Sequence, residues 1–184
     1  MSLWIAMTAG LVLAALSAVM IYNRLVRARN LVEEAWSGID VQLKRRTDLL
    51  PNLMETVKGY MQHERGVLEQ VTALRAQSLS AQTVEERASV EGAMSRALGA
   101  LFAVAENYPD LKANQNFLDL QSTLASLEEQ IQLARRYYNG TARDLNILVE
   151  SFPSNLFAAM FGFRKAPFFE IPESDKAVPQ VRFS

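Results

Sequence analysis

Residues 36–64 read WSGIDVQLKRRTDLLPNLMETVKGYMQHE, and the reading of this stretch decides the fold. Apolar residues on either side of Pro51 keep helical spacing: Val32, Ile39, Leu43, then Leu50, Leu53, Val57, Tyr60, Val67, Val71 and Leu74. Asp40, Gln42, Arg45, Arg46, Asp48, Asn52, Glu55, His63 and Glu64 fall between and around that stripe. The pattern predicts two amphipathic helices joined at or near the proline. Asp48 is placed to cap the second, with Pro51 in its first turn, where no amide donor is missed.

Upstream, Leu3 to Tyr22 carry no charge over 20 positions. A helix of that length is about 30 Å long, roughly one hydrocarbon core. Trp4 and Tyr22 sit where interfacial aromatics belong. A cleaved signal peptide is the rival, but MSLW lacks the basic residue such a peptide normally has. An uncleaved single-pass anchor over residues 1–22 is therefore expected. Arg24, Arg27 and Arg29 follow the span. The positive-inside rule then puts the N-terminus outside and the remaining residues in the cytoplasm, at the inner membrane. Ala6, Gly10, Ala14 and Ala18 repeat every four residues, a face on which two membrane helices can approach closely.

Downstream, the second helix is expected to run to about Gln77, with SLSAQ as a turn. Thr83 and Glu86 form a capping box for a third, ending before Tyr108-Pro109. Asp110 is a plausible cap for a long fourth helix. Its stripe of Phe117, Leu120, Leu124, Leu127, Ile131, Ala134, Tyr138, Ala142, Leu145, Val149 and Phe152 keeps phase across Gly140, which favours one helix. From Phe152 onward lie seven of the nine phenylalanines and four of the six prolines. That predicts a short helix around 155–161 and an extended tail that packs on something. The expected fold class is all-α: an N-terminal transmembrane helix, an up-and-down antiparallel four-helix bundle over 23–152, and a Phe/Pro-rich C-terminal tail over 153–184. A rod fused over 23–77 would outreach its partners, so four helices are preferred to three.

The motifs resemble those of the LemA family of bacterial membrane proteins. They are IDVQLKRR, DLLPNLMETVKGY and HE, then YPDLKAN at 108–114, ARRYYN at 134–139, SFPS at 151–154 and an end reading VPQVRF. The family-motif positions here are Asp40, Gln42, Arg45, Arg46, Asp48, Pro51, Asn52, Glu55, His63, Tyr108, Pro109, Asp110, Lys112 and Asn114. The resemblance implies a single-pass anchor and a helical bundle with no assigned reaction. Some magnetosome membrane proteins are similar to this family.

Chemistry is weakly signalled. A zinc-protease helix needs His-Glu-x-x-His, and position 67 is Val. One histidine and no cysteine make a structural zinc site unexpected. Glu64 and Glu128 lack the histidine three residues on that a di-iron bundle requires. No nucleophile elbow or phosphate loop is present, so no cofactor and no enzymatic activity are expected. A net charge of −1 argues against nucleic acid as a partner. Glu64, Gln121, Glu128 and Arg135 fall on or beside apolar stripes and predict a polar layer inside the bundle, with Glu64 paired to Arg135 or an amide. Lys44-Arg45-Arg46, flanked by Asp40 and Asp48, reads as a solvated helix end.

The leading functional expectation is a membrane-anchored scaffold or adaptor that forms homo-oligomers and binds a protein partner. A membrane-organising protein is the alternative, and an enzyme comes last. In an up-and-down bundle the fourth helix returns toward the bilayer. Leu156, Phe157, Met160, Phe161 and Phe163, followed by Arg164 and Lys165, are then placed either to meet the lipid bilayer or to cap the open end of the bundle.

Overall fold

The computed structural model describes residues 2–170, with side chains from Trp4 onward. The tail beyond 170, with its VPQVRF end, lies outside the described residues. Among the described residues there are six helices and no strand: α1 Ser2–Lys58, α2 Arg65–Ser80, α3 Val84–Ala105, α4 Pro109–Lys112, α5 Gln115–Glu150 and α6 Ser154–Phe161. The chain is all-α with one long apolar N-terminal helix, as its sequence pattern predicts.

The break expected at Pro51 is absent, and α1 runs through it. A proline inside a helix removes the amide that would bond the carbonyl four residues back. Here that carbonyl belongs to Thr47, a buried residue, and Arg75 of α2 donates to it from Nε at 3.0 Å. A side chain from the neighbouring helix thus takes the place of the missing amide.

The reversal comes instead at Gly59–Glu64. Lys58 is the basic residue of the last α1 turn, and Tyr60 and Met61 N–H both bond the Val57 carbonyl at 3.0 and 2.9 Å. Met61 is wholly buried and pins this turn into the core. The spacing from Val57 through Tyr60 to Val67 stays helical across the turn, so periodicity alone hides it. The SLSAQ turn also shifts: α2 continues to Ser80, and Ala81 N–H bonds Gln77 O at 3.0 Å.

The capping box is as expected. Glu86 N–H donates to Thr83 Oγ1 at 3.1 Å, and Thr83 N–H returns a bond to the Glu86 carboxylate at 3.3 Å. The backbone amides of Gln82 and Thr83 hold the Glu86 carboxyl below its usual range. Asp110 does not cap the long fourth helix. It lies in the first turn of the short α4, which has Tyr108 at its N-cap and Pro109 at the next position, where a proline loses no bond. Asn114 caps α5, its Oδ1 accepting from Phe117 N–H at 3.2 Å. α5 is unbroken across Gly140.

The described residues divide into two compact units, one of residues 2–38 and Arg136–Phe168, the other of Ile39–Arg135 with residues 169–170. In the second unit, Leu50, Leu53 and Val57 of α1, Val71 of α2, Met94 and Leu101 of α3 and Phe117 of α5 share one core. Burying each such side chain stabilises by about 1.5–3 kcal/mol relative to exposure. Thr47 meets Arg75 while Met54 meets Thr72, so α1 and α2 run oppositely. Ser95 meets Glu128 while Phe102 meets Phe117, so α3 and α5 do too.

In the first unit, Trp36 packs on Tyr138 with ring centroids 5.6 Å apart, and Leu25 clusters with Leu148, Val149, Ala158 and Phe163. Gly162, at φ 72°, ends α6 in the left-handed conformation, and Phe163 N–H bonds Ala158 O at 2.9 Å. That turn folds Phe163 back onto Leu25. Asn146 then clamps the following segment from both sides: Nδ2 donates to Ala166 O at 3.0 Å and Oδ1 accepts from Ala166 N–H at 2.8 Å.

Arg75→Ala should leave the buried Thr47 carbonyl unsatisfied and cost about 1–3 kcal/mol. Pro51→Ala restores an amide at that point. In a Pro51→Ala background the cost of Arg75→Ala, read from thermal melts of the detergent-solubilised chain, should therefore fall. An equal cost in both backgrounds would show that Arg75 does not act through this carbonyl.

Candidate functional site

The helical stripe of α1 is Ile39, Leu43, Arg46, Leu50, Leu53 and Val57. Every member but one is apolar, and all are buried. With α1 unbroken at Pro51, Arg46 is not at a helix end but midway along the buried face. The solvated reading of Arg46 is thereby overturned; its side chain is 1% exposed. Lys44 and Arg45 do remain exposed, the former 3.7 Å from Asp48 and the latter 3.4 Å from Gln42.

A buried guanidinium must be paired and hydrogen-bonded to persist. Arg46 Nη1 donates to Glu128 Oε2 at 2.6 Å and to Ser95 Oγ at 2.9 Å. Its Nη2 meets the Glu91 carboxylate and carbonyl. Glu91, 3% exposed, bonds the hydroxyl of Ser78 with its other oxygen. Glu128, 34% exposed, also accepts from Ser95 Oγ at 3.0 Å and from Gln132 Nε2 at 2.8 Å. Arg87 extends the network outward, donating to Ser78 O at 2.7 Å and to Asp40 at 3.1 Å. Three carboxylates and two guanidiniums thus connect α1, α2, α3 and α5. Arg46 Nε alone of its guanidinium nitrogens has no partner among the described residues.

The expected polar layer is corrected in its membership. Glu128 belongs to it. Glu64 does not: it lies in the turn before α2, half-buried, and accepts from Tyr108 Oη at 3.1 Å rather than from Arg135. Burial, together with that carboxylate, raises the Tyr108 hydroxyl above its ordinary pKa. Gln121 and Arg135 are half-buried on α5 outside the network described above. Sequence reasoning missed Glu91, Ser78, Ser95, Arg75 and Arg87. The available signal was position: Glu91 and Ser95 lie on the same α3 face as Met94 and Leu98.

The remaining motif residues gather at the turn end of the second unit. Tyr108 reaches Glu64, Asn114 Nδ2 lies 3.3 Å from Tyr60 Oη, and Lys112 pairs with Glu106. The first and later motifs therefore clasp one another across the ends of α2, α3 and α5. His63, Asn52, Glu55, Pro51, Pro109 and Asp110 are exposed. No group of three or more His, Cys, Asp or Glu among the described residues is arranged for a metal ion. The network's geometry is that of a lock between helices: each of its carboxylates is engaged by a guanidinium.

On the apolar half of α1, Ala6, Gly10 and Ala14 are exposed, and Ala18 is half-covered. One helix is long and apolar enough to cross a membrane, at the N-terminal end of α1. Of the possible interfacial segment, Leu156, Met160 and Phe161 are exposed, Phe157 is partly buried and Phe163 is buried.

The sequence matches the family model of the LemA family over residues 35–183. It is 30% identical to a protein named Protein LemA from Metamycoplasma hominis, over 84% of this chain and 71% of that one. It is 24% identical to Magnetosome protein MamQ 2 of Paramagnetospirillum magneticum, over 88% of this chain and 70% of that one. Against Magnetosome protein MamQ of Magnetospirillum gryphiswaldense the identity is 22% over the same shares.

Arg46→Leu leaves Glu91 buried without its charge partner, a change that costs about 3–5 kcal/mol. Arg45→Leu, one residue earlier and exposed, should stay within about 0.5 kcal/mol of the parent. Thermal melts of the two variants should separate widely, and coincident curves would place Arg46 at the surface.

Proposed function

The chain belongs to the LemA family, and we propose that it is a membrane-anchored, non-enzymatic helical scaffold that self-associates and holds protein partners at the cytoplasmic membrane. One observation carries this reading. The helix that holds the candidate span continues without interruption to supply Arg46, the residue that locks the helical core. One helix, α1, carries both the candidate span and Arg46, which suits a part that holds other molecules at the membrane.

The opposed directions of α1 and α2, and of α3 and α5, support an up-and-down four-helix bundle. Exposed Leu79, Leu133, Tyr137 and Ile147 give its outward faces apolar contact points for a partner. Self-association draws support from the Ala6, Gly10, Ala14 face. A Cβ added at Gly10 meets nothing within 4 Å, so the backbone there is open to a second helix. The arginines after the span support a cytoplasmic location for the residues that follow it. The relatives named as magnetosome proteins favour a second reading, in which the chain organises a membrane region.

Purification of the full chain in mild detergent, with mass measured by light scattering, tests the proposal. Several copies together with a stoichiometric second protein are expected, and Gly10→Leu should reduce the copy number. A bare monomer would contradict the scaffold reading, whereas altered vesicle shape on reconstitution would favour the second. A reporter fused after Ser184 should be active only as a cytoplasmic fusion; activity on the outer side would reverse the orientation.

A further inference from the structure

The stretch from Phe152 to Phe163 carries no charge in twelve positions, and α6 within it is divided into two sides. The inner side, Ala158 with Phe157, packs on the Leu25 cluster. The outer side is apolar and uncovered: Leu156 is 58% exposed, Met160 74% and Phe161 54%, with Phe152 at 79% just before the helix. Polar residues would normally occupy such a face on a helix bathed in water.

Its position says what covers it. Phe161 packs edge-on against Tyr22, ring centroids 4.9 Å apart. Tyr22 closes the charge-free segment of α1. Beside it lies an apolar groove of about 280 Å³, lined by Ala18, Val19, Tyr22, Phe157 and Phe161. Three of those residues, Ala18, Val19 and Tyr22, belong to the span itself, so whatever fills the groove sits at the depth of the span's last turn. Cations follow both segments in the chain: Arg24, Arg27, Arg164 and Lys165 are exposed, and Arg29 lies 5.3 Å from the Phe163 ring centroid. Lys165 also pairs with Glu150 at 2.5 Å.

We propose that α6 is a second, interfacial membrane contact: its outer face lies in the headgroup–acyl boundary of an anionic bilayer, with an acyl chain in the Tyr22–Phe161 groove and phosphate headgroups on the flanking arginines and lysine. The proposal rests on the membrane-anchor reading of the residues before it. It makes the attachment two-point, a span plus a parallel helix. Two contacts at different places fix how the first unit is turned about the span axis, which a single helix leaves free.

The absence of cysteine allows a single fluorescent label to be placed by substitution. Met160→Cys, Ala14→Cys and Leu79→Cys variants of the full chain, labelled with bimane, are reconstituted into phosphatidylcholine–phosphatidylglycerol vesicles whose acyl chains carry bromine. Bromine quenching at position 160 should approach that at position 14 and exceed that at position 79 several-fold. Quenching at 14 but not at 160 overturns the interfacial contact and leaves the anchor standing. Quenching at neither removes the anchor and the inference with it. Quenching at 160 that falls as the protein-to-lipid ratio rises means a second copy covers the face, which also overturns the proposal. Raising the phosphatidylglycerol fraction should increase quenching at 160, and Arg164→Gln with Lys165→Gln should abolish that increase; no dependence on the anionic lipid overturns the role given to the cations.

Discussion

A guanidinium at 1% exposure in the middle of an apolar helix face sets the terms for the second unit. Removing such a group from water costs several kcal/mol, and only close, complete pairing offsets it. Arg46 therefore requires Glu91 of α3 and Glu128 of α5 to stand opposite it, at one height along α1. Apolar stripes slide past one another at small cost, but this contact has a single register. Ser78 and Ser95 complete it with their hydroxyls. A well-packed apolar core of equal volume often holds as firmly as such a network, whereas removing one partner from it is strongly destabilising.

The same unit solves a backbone problem by the same means. Pro51 deprives Thr47 of its helical hydrogen bond, and Arg75 supplies one from outside. Without that donor, α1 would have reason to kink near Pro51 and carry Arg46 out of register. Arg75 and Arg46 lie on opposite sides of one requirement: the first keeps α1 continuous, the second uses that continuity to lock α3 and α5. At the far end, the Tyr108–Glu64 and Asn114–Tyr60 contacts close the turns. Of the residues that mark the family, Asp40, Arg46, Tyr108 and Asn114 join one helix or turn to another.

What the sequence made legible follows from which forces are local. The Thr83–Glu86 capping box and the passage of α5 through Gly140 depend on neighbours within a turn or two, and both can be read directly. The apolar stretch before Tyr22 is legible for the same reason. Pro51 misleads because its rescue by Arg75 comes from 24 positions away in the chain. The turn at Gly59–Glu64 escapes because Val57, Tyr60 and Val67 keep helical spacing straight through it. Arg46 escapes because its neighbours Lys44 and Arg45 are solvated, and a run of charges reads as surface. Its spacing with Leu43 and Leu50 carried the correct signal, outweighed by residue type. Glu64 was rightly taken as a paired carboxylate but given the wrong partner, since the Tyr108 hydroxyl becomes a neighbour only once the turns are formed.

The central claim is that Arg46 and Glu91 act as one buried pair that fixes α1 against α3. A double-mutant cycle measures this directly: the parent chain, Arg46→Leu, Glu91→Leu and the double variant, each unfolded thermally in the same detergent. Each single change strands a buried charge, whereas the double change strands neither at that contact. The account predicts strong non-additivity, with the double variant more stable than either single one and a coupling energy of about 1–3 kcal/mol or more. Additive losses, leaving the double variant the least stable of the four, would contradict it.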